Sequence, residues 1–340
     1  MLRFSLLDLA PICHGSDAAA AFRHSRLLAR HAEALGYHRY WLAEHHNLPG
    51  IGSAATAVLI AHIAQATTTI RVGAGGVMLP NHPPLVIAEQ FGTLESLFPG
   101  RVDLGLGRAP GSDAETARAL RRYFGSADTF PQDVAELMSY FAPPSPSQRV
   151  RAVPGQGLSV PIYLLGSSTF SATLAARLGL PFAFASHFAP DYLHLALDIY
   201  RREFQPSAQL SRPYVVVGAG LYAADNDEEA KRIFSSAQLQ ALGLIRGQPT
   251  QLPPPRTDVD KLFTPDEQIA IAHRTRYAVI GSPGRIRERL TEILAETAAD
   301  EIMLTAQIFD HSARVRSFEI GADVFRELCR CEAEPAATAD

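Results

Sequence analysis

The residues able to do chemistry in this chain stand just after short apolar runs. Glu44-His45-His46 follows 37–43, Gly75-Gly76 ends 70–76, and Gly107-Arg108 follows 102–106. Ser167, Ser168 and Ser171 follow 161–165, His187-Phe188 follows 181–185, and Asp8 closes the first run, 3–7. An imidazole is poised near neutral pH to donate or accept a proton. A guanidinium beside bare glycine backbone can grip an anionic group while a flat ligand approaches the chain. Gly166-Ser167-Ser168, directly before a helical segment, offers N–H groups, hydroxyls and the positive end of a helix dipole, which suits a phosphate.

Each residue also has a plainer reading. His45 is a donor or base facing a ligand, a metal ligand, or a buried hydrogen-bonded side chain. His45 and His46, being consecutive at a strand end, point to opposite sides, so both do not easily reach one ion. Carboxylates are scarce among these residues, which disfavours a magnesium or di-metal centre, and the expectation is that no metal is held. Arg108 grips a ligand anion or pairs with a neighbouring loop carboxylate. One serine at 167, 168 or 171 is explained by helix capping, whereas three hydroxyls exceed that need. GLGRAP is not GxGxxG, and no P-loop, GxSxG or HExxH occurs.

Such residues act together only if a scaffold brings the run ends to one place. Pro83-Pro84 opens a segment in which Val86, Phe91, Leu94, Leu97 and Phe98 recur at helical spacing before Pro99-Gly100 stops it, giving strand, helix, strand over 70–107. Parallel strands need such crossovers, and ligands bind at their carboxyl ends. The alternation places strands at 3–7, 37–43, 70–76, 102–106, 161–165, 181–185, 214–222 and 301–305. Eight strands alternating with helices predict an α/β chain folded as one (β/α)8 TIM barrel. The domain covers 1–331, with insertions near 112–160 and 235–275 and a frayed tail at 332–340. Ser53 is read as a helix cap and Gly281-Ser282-Pro283 as another. Residues 243–263, with Pro249 and Pro253-Pro254-Pro255, read as a mobile loop, and the longer excursion 235–275 as a candidate lid for the site.

Composition narrows the class. A net charge of -4 without a dense basic run gives no footprint for nucleic acid. Cys13, Cys329 and Cys331 have no zinc or redox spacing, so a reducing, cytoplasmic setting is expected. No window approaches a membrane span, and the first residues, with Asp8 inside a very short apolar run, read as a buried strand and not as a secretory signal.

Four blocks are specific when taken in this order: YWLAEHHN at 40–47, IRVGAGGVMLPNHPPLVIAEQ at 70–90, GRVDLGLGRAPG at 100–111 and LLGSS at 164–168. With them the chain resembles, over nearly its whole length, the bacterial luciferase-like flavin-dependent monooxygenases. The resemblance implies a TIM-barrel subunit, commonly a homodimer, that takes up reduced FMN, or in sister groups F420, at the barrel mouth. It implies a flavin C4a-peroxide formed with O2 that attacks an organic substrate, the reduced flavin being supplied by a separate reductase.

Position by position, the resemblance gives His45 the histidine of the peroxide chemistry and Arg108 the arginine near the flavin phosphate. Ser168 and Ser171 become hydroxyls of the phosphate site, and Gly75-Gly76 a non-prolyl cis peptide under the ring. Luciferase has a reactive cysteine where this chain has Gly107, so light emission is not implied and room beside the ring is larger. Asp8, His187 and Phe188 are left for the substrate, with Phe170 and Gly107 lining room for a large apolar molecule. The substrate stays open among aldehydes, alkanesulfonates, chelators and natural-product rings, with a lean to a secondary-metabolite intermediate. An F420-dependent oxidoreductase and a non-catalytic flavin-binding protein are the alternatives.

Overall fold

The computed structural model describes residues 2–109, 113–121, 128–146 and 148–333, with side chains to 330. Of the expected frayed tail, 332–333 belong to the last helix and the rest lies outside the described residues, as does part of the first insertion. The first half of the chain runs β1 (Arg3–Asp8), α1 (Ala18–Leu35), β2 (Arg39–Leu42), α2 (Thr56–Ala66), β3 (Arg71–Met78), α3 (Pro84–Leu97), β4 (Val102–Gly107), α4 (Ala114–Ala119) and α5 (Phe130–Phe141). The second half runs β5 (Ile162–Gly166), α6 (Thr169–Leu178), β6 (Phe182–Phe184), α7 (Leu193–Glu203), β7 (Val215–Ala223), α8 (Asp227–Ile245), α9 (Pro265–Arg274), β8 (Ala278–Gly281), α10 (Pro283–Thr297), β9 (Glu301–Thr305) and α11 (His311–Ala333).

All pairings are parallel. The strands follow the order β6-β5-β4-β3-β2-β1-β9-β7, and β6 pairs with β7 to close an eight-stranded barrel. Both faces of such strands are covered, which is why VVVGAGLYA of β7 is buried at every position. The helices are started and stopped by local chemistry. Asp17 accepts a hydrogen bond from the Ala20 N–H to open α1, and Gly36, at φ 88°, closes it in the left-handed region.

Three sequence expectations need correction. A ninth strand, β8, lies outside the barrel and pairs with the carboxyl half of β7, Gly220 to Ala223 against Ala278 to Gly281. Gly281 therefore ends a strand before Pro283 starts α10, and AVIG is too short to show as a strand by alternation alone. Secondly, the loop expected at 243–263 is flanked by helix on both sides within the 235–275 insertion. The helix α8 continues to Ile245, and α9 is opened by a capping box in which Thr264 and Glu267 bond each other's backbone N–H. Thirdly, Ser53 does not cap α2: the helix begins at Thr56, and Ser53 is wholly buried before it.

The barrel interior carries an ionic cluster at its amino-terminal end. Arg39 Nη1 lies 2.6 Å from Asp103 Oδ2 and its Nε 2.8 Å from Glu301 Oε1, all wholly or almost wholly buried. Tyr163 accepts a further bond from Arg39, and Trp41 donates its indole N–H to Asp103. This cluster fills one end and leaves a cavity at the other.

Candidate active site

At the carboxyl ends of the strands a cavity of about 700 Å³ opens, a size typical of small-molecule sites. Leu7, Trp41, Ala183, Val216 and Met303, the inward-facing residues of five strands, form its apolar floor. His45, Gly75, Gly76, Gly107, Arg108, Ser167, Ser168, Ser171, His187 and Phe188 all line it, so the carboxyl ends of β3 and β4 and the segments that follow β2 to β6 bring these sequence candidates to one space.

Asp8 does not line it. The end of β1 turns this carboxylate away, wholly buried, onto Arg314 Nη2 at 2.6 Å and the Tyr40 hydroxyl. Although burial alone would raise its pKa, Arg314 and the hydrogen bonds hold it below the ordinary carboxylate range. Asp8 is thus an ion-pair anchor between β1 and α11, and its expected place against a substrate is corrected.

The wall next to the floor is glycine backbone. The Gly75–Gly76 peptide is cis, and the pairing of β3 with β4 shifts register between Ala74 and Val77 to pass over it. A β-carbon on Gly75 would stand 2.9 Å from Leu7 Cδ1 and Trp41 Cε3, and one on Gly76 only 2.7 Å from the Gly105 carbonyl oxygen. Gly107 differs, since a β-carbon there would meet nothing nearer than 3.9 Å. A flat ring system can therefore lie against this wall with the space over Gly107 free.

On the β4 and β5 side, the Arg108 guanidinium sits 4.0 Å from the Phe170 ring centroid. No carboxylate among the described residues pairs with it. Ser168 is the N-cap of α6, yet its hydroxyl makes no capping bond. With Ser167 and the buried Ser171 it leaves hydroxyls and first-turn N–H groups beside an unpaired cation, the donor set of an anion site.

His45 and His46 part as consecutive residues must. His46 and His82 each bring Nε2 to 2.8 Å from Glu44 Oε1, while the Met78 N–H donates to Glu44 Oε2. Burial would raise the Glu44 pKa, but His82, His46 and the Met78 N–H hold it down, so the carboxylate stays ionised. The ligand atoms of Glu44, His46 and His82 lie within 4.8 Å of one another, compact enough for a metal ion, although the two imidazole hydrogens already account for the contacts. His45 faces the cavity. Burial lowers its pKa, which keeps the ring neutral near pH 7 with one nitrogen able to donate and the other to accept.

His187 is half-buried on the cavity wall, its Nδ1 buried without a hydrogen-bond partner among the described residues. Burial first, then the charges of Arg274 and His45, pushes its pKa down to about 3. Phe188 stands edge-on to it, with ring centroids 4.8 Å apart.

Sequence reasoning missed residues on the far side. Arg274, Gln307, Thr305 and Tyr222 line the same cavity, and neither the Gln307 amide nor the Thr305 hydroxyl has a partner among the described residues. The TPDE box at 264–267 was the available signal for α9, and hence for Arg274 at its end. Gln307 follows β9 by two residues, where the rule that ligands gather at strand ends would have found it.

A family model described as Luciferase-like monooxygenase matches residues 2–301. The chain belongs to the luciferase-like monooxygenase family. A luciferase-like monooxygenase of Escherichia coli strain K12 is 57% identical over 328 residues, covering 96% of this chain and 98% of that one. The solved structure of apo-MsnO8 superimposes with a TM-score of 0.88 at 35% identity, over 96% of this chain and 99% of the other. The oxygenating constituent of 3,6-diketocamphane monooxygenase from Pseudomonas putida, solved with FMN, shares the fold at a TM-score of 0.69 and 19% identity, over 95% and 97% of the two chains. No described helix of this luciferase-like chain is long and apolar enough to cross a membrane.

Proposed function

We propose that this chain is the oxygenating component of a two-component monooxygenase, taking reduced FMN from a separate reductase and using O2 to oxygenate an organic substrate. The observation that carries the reading is Arg108, unpaired among the described residues, beside the free hydroxyls at the start of α6, with a bare Gly75–Gly76 wall and a neutral, half-buried His45 lining the same cavity. Bound there, reduced FMN would supply two electrons to O2, so that one oxygen atom enters the product and the other leaves as water.

The chain's own residues supply the rest. Arg108, Ser167, Ser168 and Ser171 fit the flavin phosphate, and charge-assisted bonds of this kind are the strong ones. Gly75, Gly76 and Gly107 leave the flat ring access to the wall. His45 reaches the cavity in a form that can donate a proton to oxygen or accept one from the substrate, and Glu44 fixes the loop that carries it. The apolar floor keeps water from the reacting atoms.

The test is to titrate the protein with FMN and with F420 by fluorescence quenching, then to follow O2 uptake and product with FMN, NADH, a generic flavin reductase and a substrate panel. Preference for FMN with reductase-dependent transfer of oxygen from 18O2 into a product is expected. Preference for F420, with hydride transfer in the absence of O2, would replace the proposal by an F420-dependent oxidoreductase. FMN binding with O2 uptake but no product from any substrate would replace it by a flavin-binding protein without catalysis.

A further inference from the structure

The cavity holds a second unpaired cation that the flavin reading does not use. Arg274, at the end of α9, lines the cavity on the side of β7 and β8, half-buried, with its guanidinium carbon 5.5 Å from the centroid of the Phe188 ring. No carboxylate among the described residues pairs with it. The neighbouring Asp191 is taken by His273, with Oδ1 2.7 Å from Nε2. Burial lowers the Arg274 pKa and no acidic group raises it, although a guanidinium at this depth stays charged. Phe188 in turn stands edge-on to His187, which places Arg274 at the His187 side of the cavity, whereas Arg108 stands with the serines after β4 and β5.

Arg108 and Arg274 thus line one cavity, each parked on a phenylalanine and each lacking a counter-ion. A phosphate at Arg108 satisfies one and leaves the other, and a half-desolvated cation without an anion is costly. We infer that Arg274 is the anion-binding residue of the substrate site, so that the substrate is an organic anion, a carboxylate or sulfonate, with an apolar body. The body packs against Phe188, Ala241 and Leu244, which line the cavity beside it. The inference rests on the flavin phosphate occupying the Arg108 side.

Calorimetric titration with octanoate, octanesulfonate and octanamide, on protein alone and on protein saturated with oxidised FMN, tests it. Both anions are expected to bind about ten- to hundredfold tighter than the amide. Arg274→Gln should erase that preference and leave the FMN dissociation constant unchanged, Arg274→Lys should keep part of the preference, and Arg108→Gln should loosen FMN alone. Equal binding of octanoate and octanamide to the wild-type protein overturns the inference. So does an Arg274→Gln protein that loses affinity for FMN but not for riboflavin, since the guanidinium then holds the cofactor phosphate. Failure of FMN to bind would instead overturn the functional reading, and the preference on FMN-free protein reports on Arg274 independently.

Discussion

Glu44 and His82 are joined by a hydrogen bond of 2.8 Å, from the imidazole Nε2 to the carboxylate Oε1, across the gap between the segments that follow β2 and β3. His46 and the Met78 N–H bond the same carboxylate, so one buried anion sets the backbone from which His45 projects. Glu44→Gln weakens acceptors that three donors share and is expected to cost about 1–3 kcal/mol of stability, read by urea unfolding. It should also lower kcat more than it raises the KM for reduced FMN. Because both imidazole hydrogens are spent on Glu44, dialysis against a chelator should leave the melting temperature unchanged. A fall in Tm, restored by zinc, would mean that the trio holds an ion.

Arg108→Ala removes the cation of the proposed phosphate site. A hydrogen bond to a charged group contributes about 1.5–3 kcal/mol, so FMN binding should weaken roughly ten- to hundredfold. Riboflavin, which lacks the phosphate, should lose little. An unchanged FMN dissociation constant in a fluorescence titration would take Arg108 out of the site.

Gly76 and Gly107 line the same cavity but differ in what a methyl group would meet. At Gly76 it would press on the Gly105 carbonyl oxygen at 2.7 Å, and at Gly107 it would enter open space. Gly76→Ala is therefore expected to lose about 1–3 kcal/mol by overpacking against backbone. Gly107→Ala should fold normally, and Gly107→Val should also fold while narrowing the space over the ring and raising KM for bulky substrates. Equal melting temperatures for Gly76→Ala and the wild type would contradict the contact.

Much of the barrel was legible because its strands end in residues of the wrong kind for a strand. Gly107-Arg108 and Gly166-Ser167 interrupt apolar runs where loops begin, whereas Gly75-Gly76 marks an irregularity inside β3, which continues to Met78; the barrel rule then gathers the strand ends at one mouth. What was not legible is direction within a strand. Asp8 ends β1 like the other candidates, yet it turns onto Arg314, over three hundred residues later in sequence, and no local pattern records that partner. Arg39, Asp103 and Glu301 look like polar residues at strand starts, but they meet inside the barrel only because β9, from the far end of the chain, pairs with β1. Arg274 was hidden for another reason: prolines at 249 and 253–255 made its whole segment read as loop.

His187 supplies a pH dependence whose sign is fixed. Its folded pKa is about 3 against 6.5 for an ordinary imidazole, so the unfolded chain binds a proton that the folded chain refuses. Stability from this group is complete above about pH 6.5 and is lost as pH falls toward 3, at up to about 1.4 kcal/mol per pH unit. His38 and His311, each lowered to about 4 chiefly by burial, act in the same direction and are present in any His187 variant. Substitution His187→Asn removes one titrating group and leaves the others, so between pH 6.5 and 5 the variant should lose about 2 kcal/mol less stability than the wild type, by urea unfolding at each pH. Equal losses in the two proteins would show that the fold does not depress the His187 pKa, and would withdraw the desolvated site given to its ring beside His45.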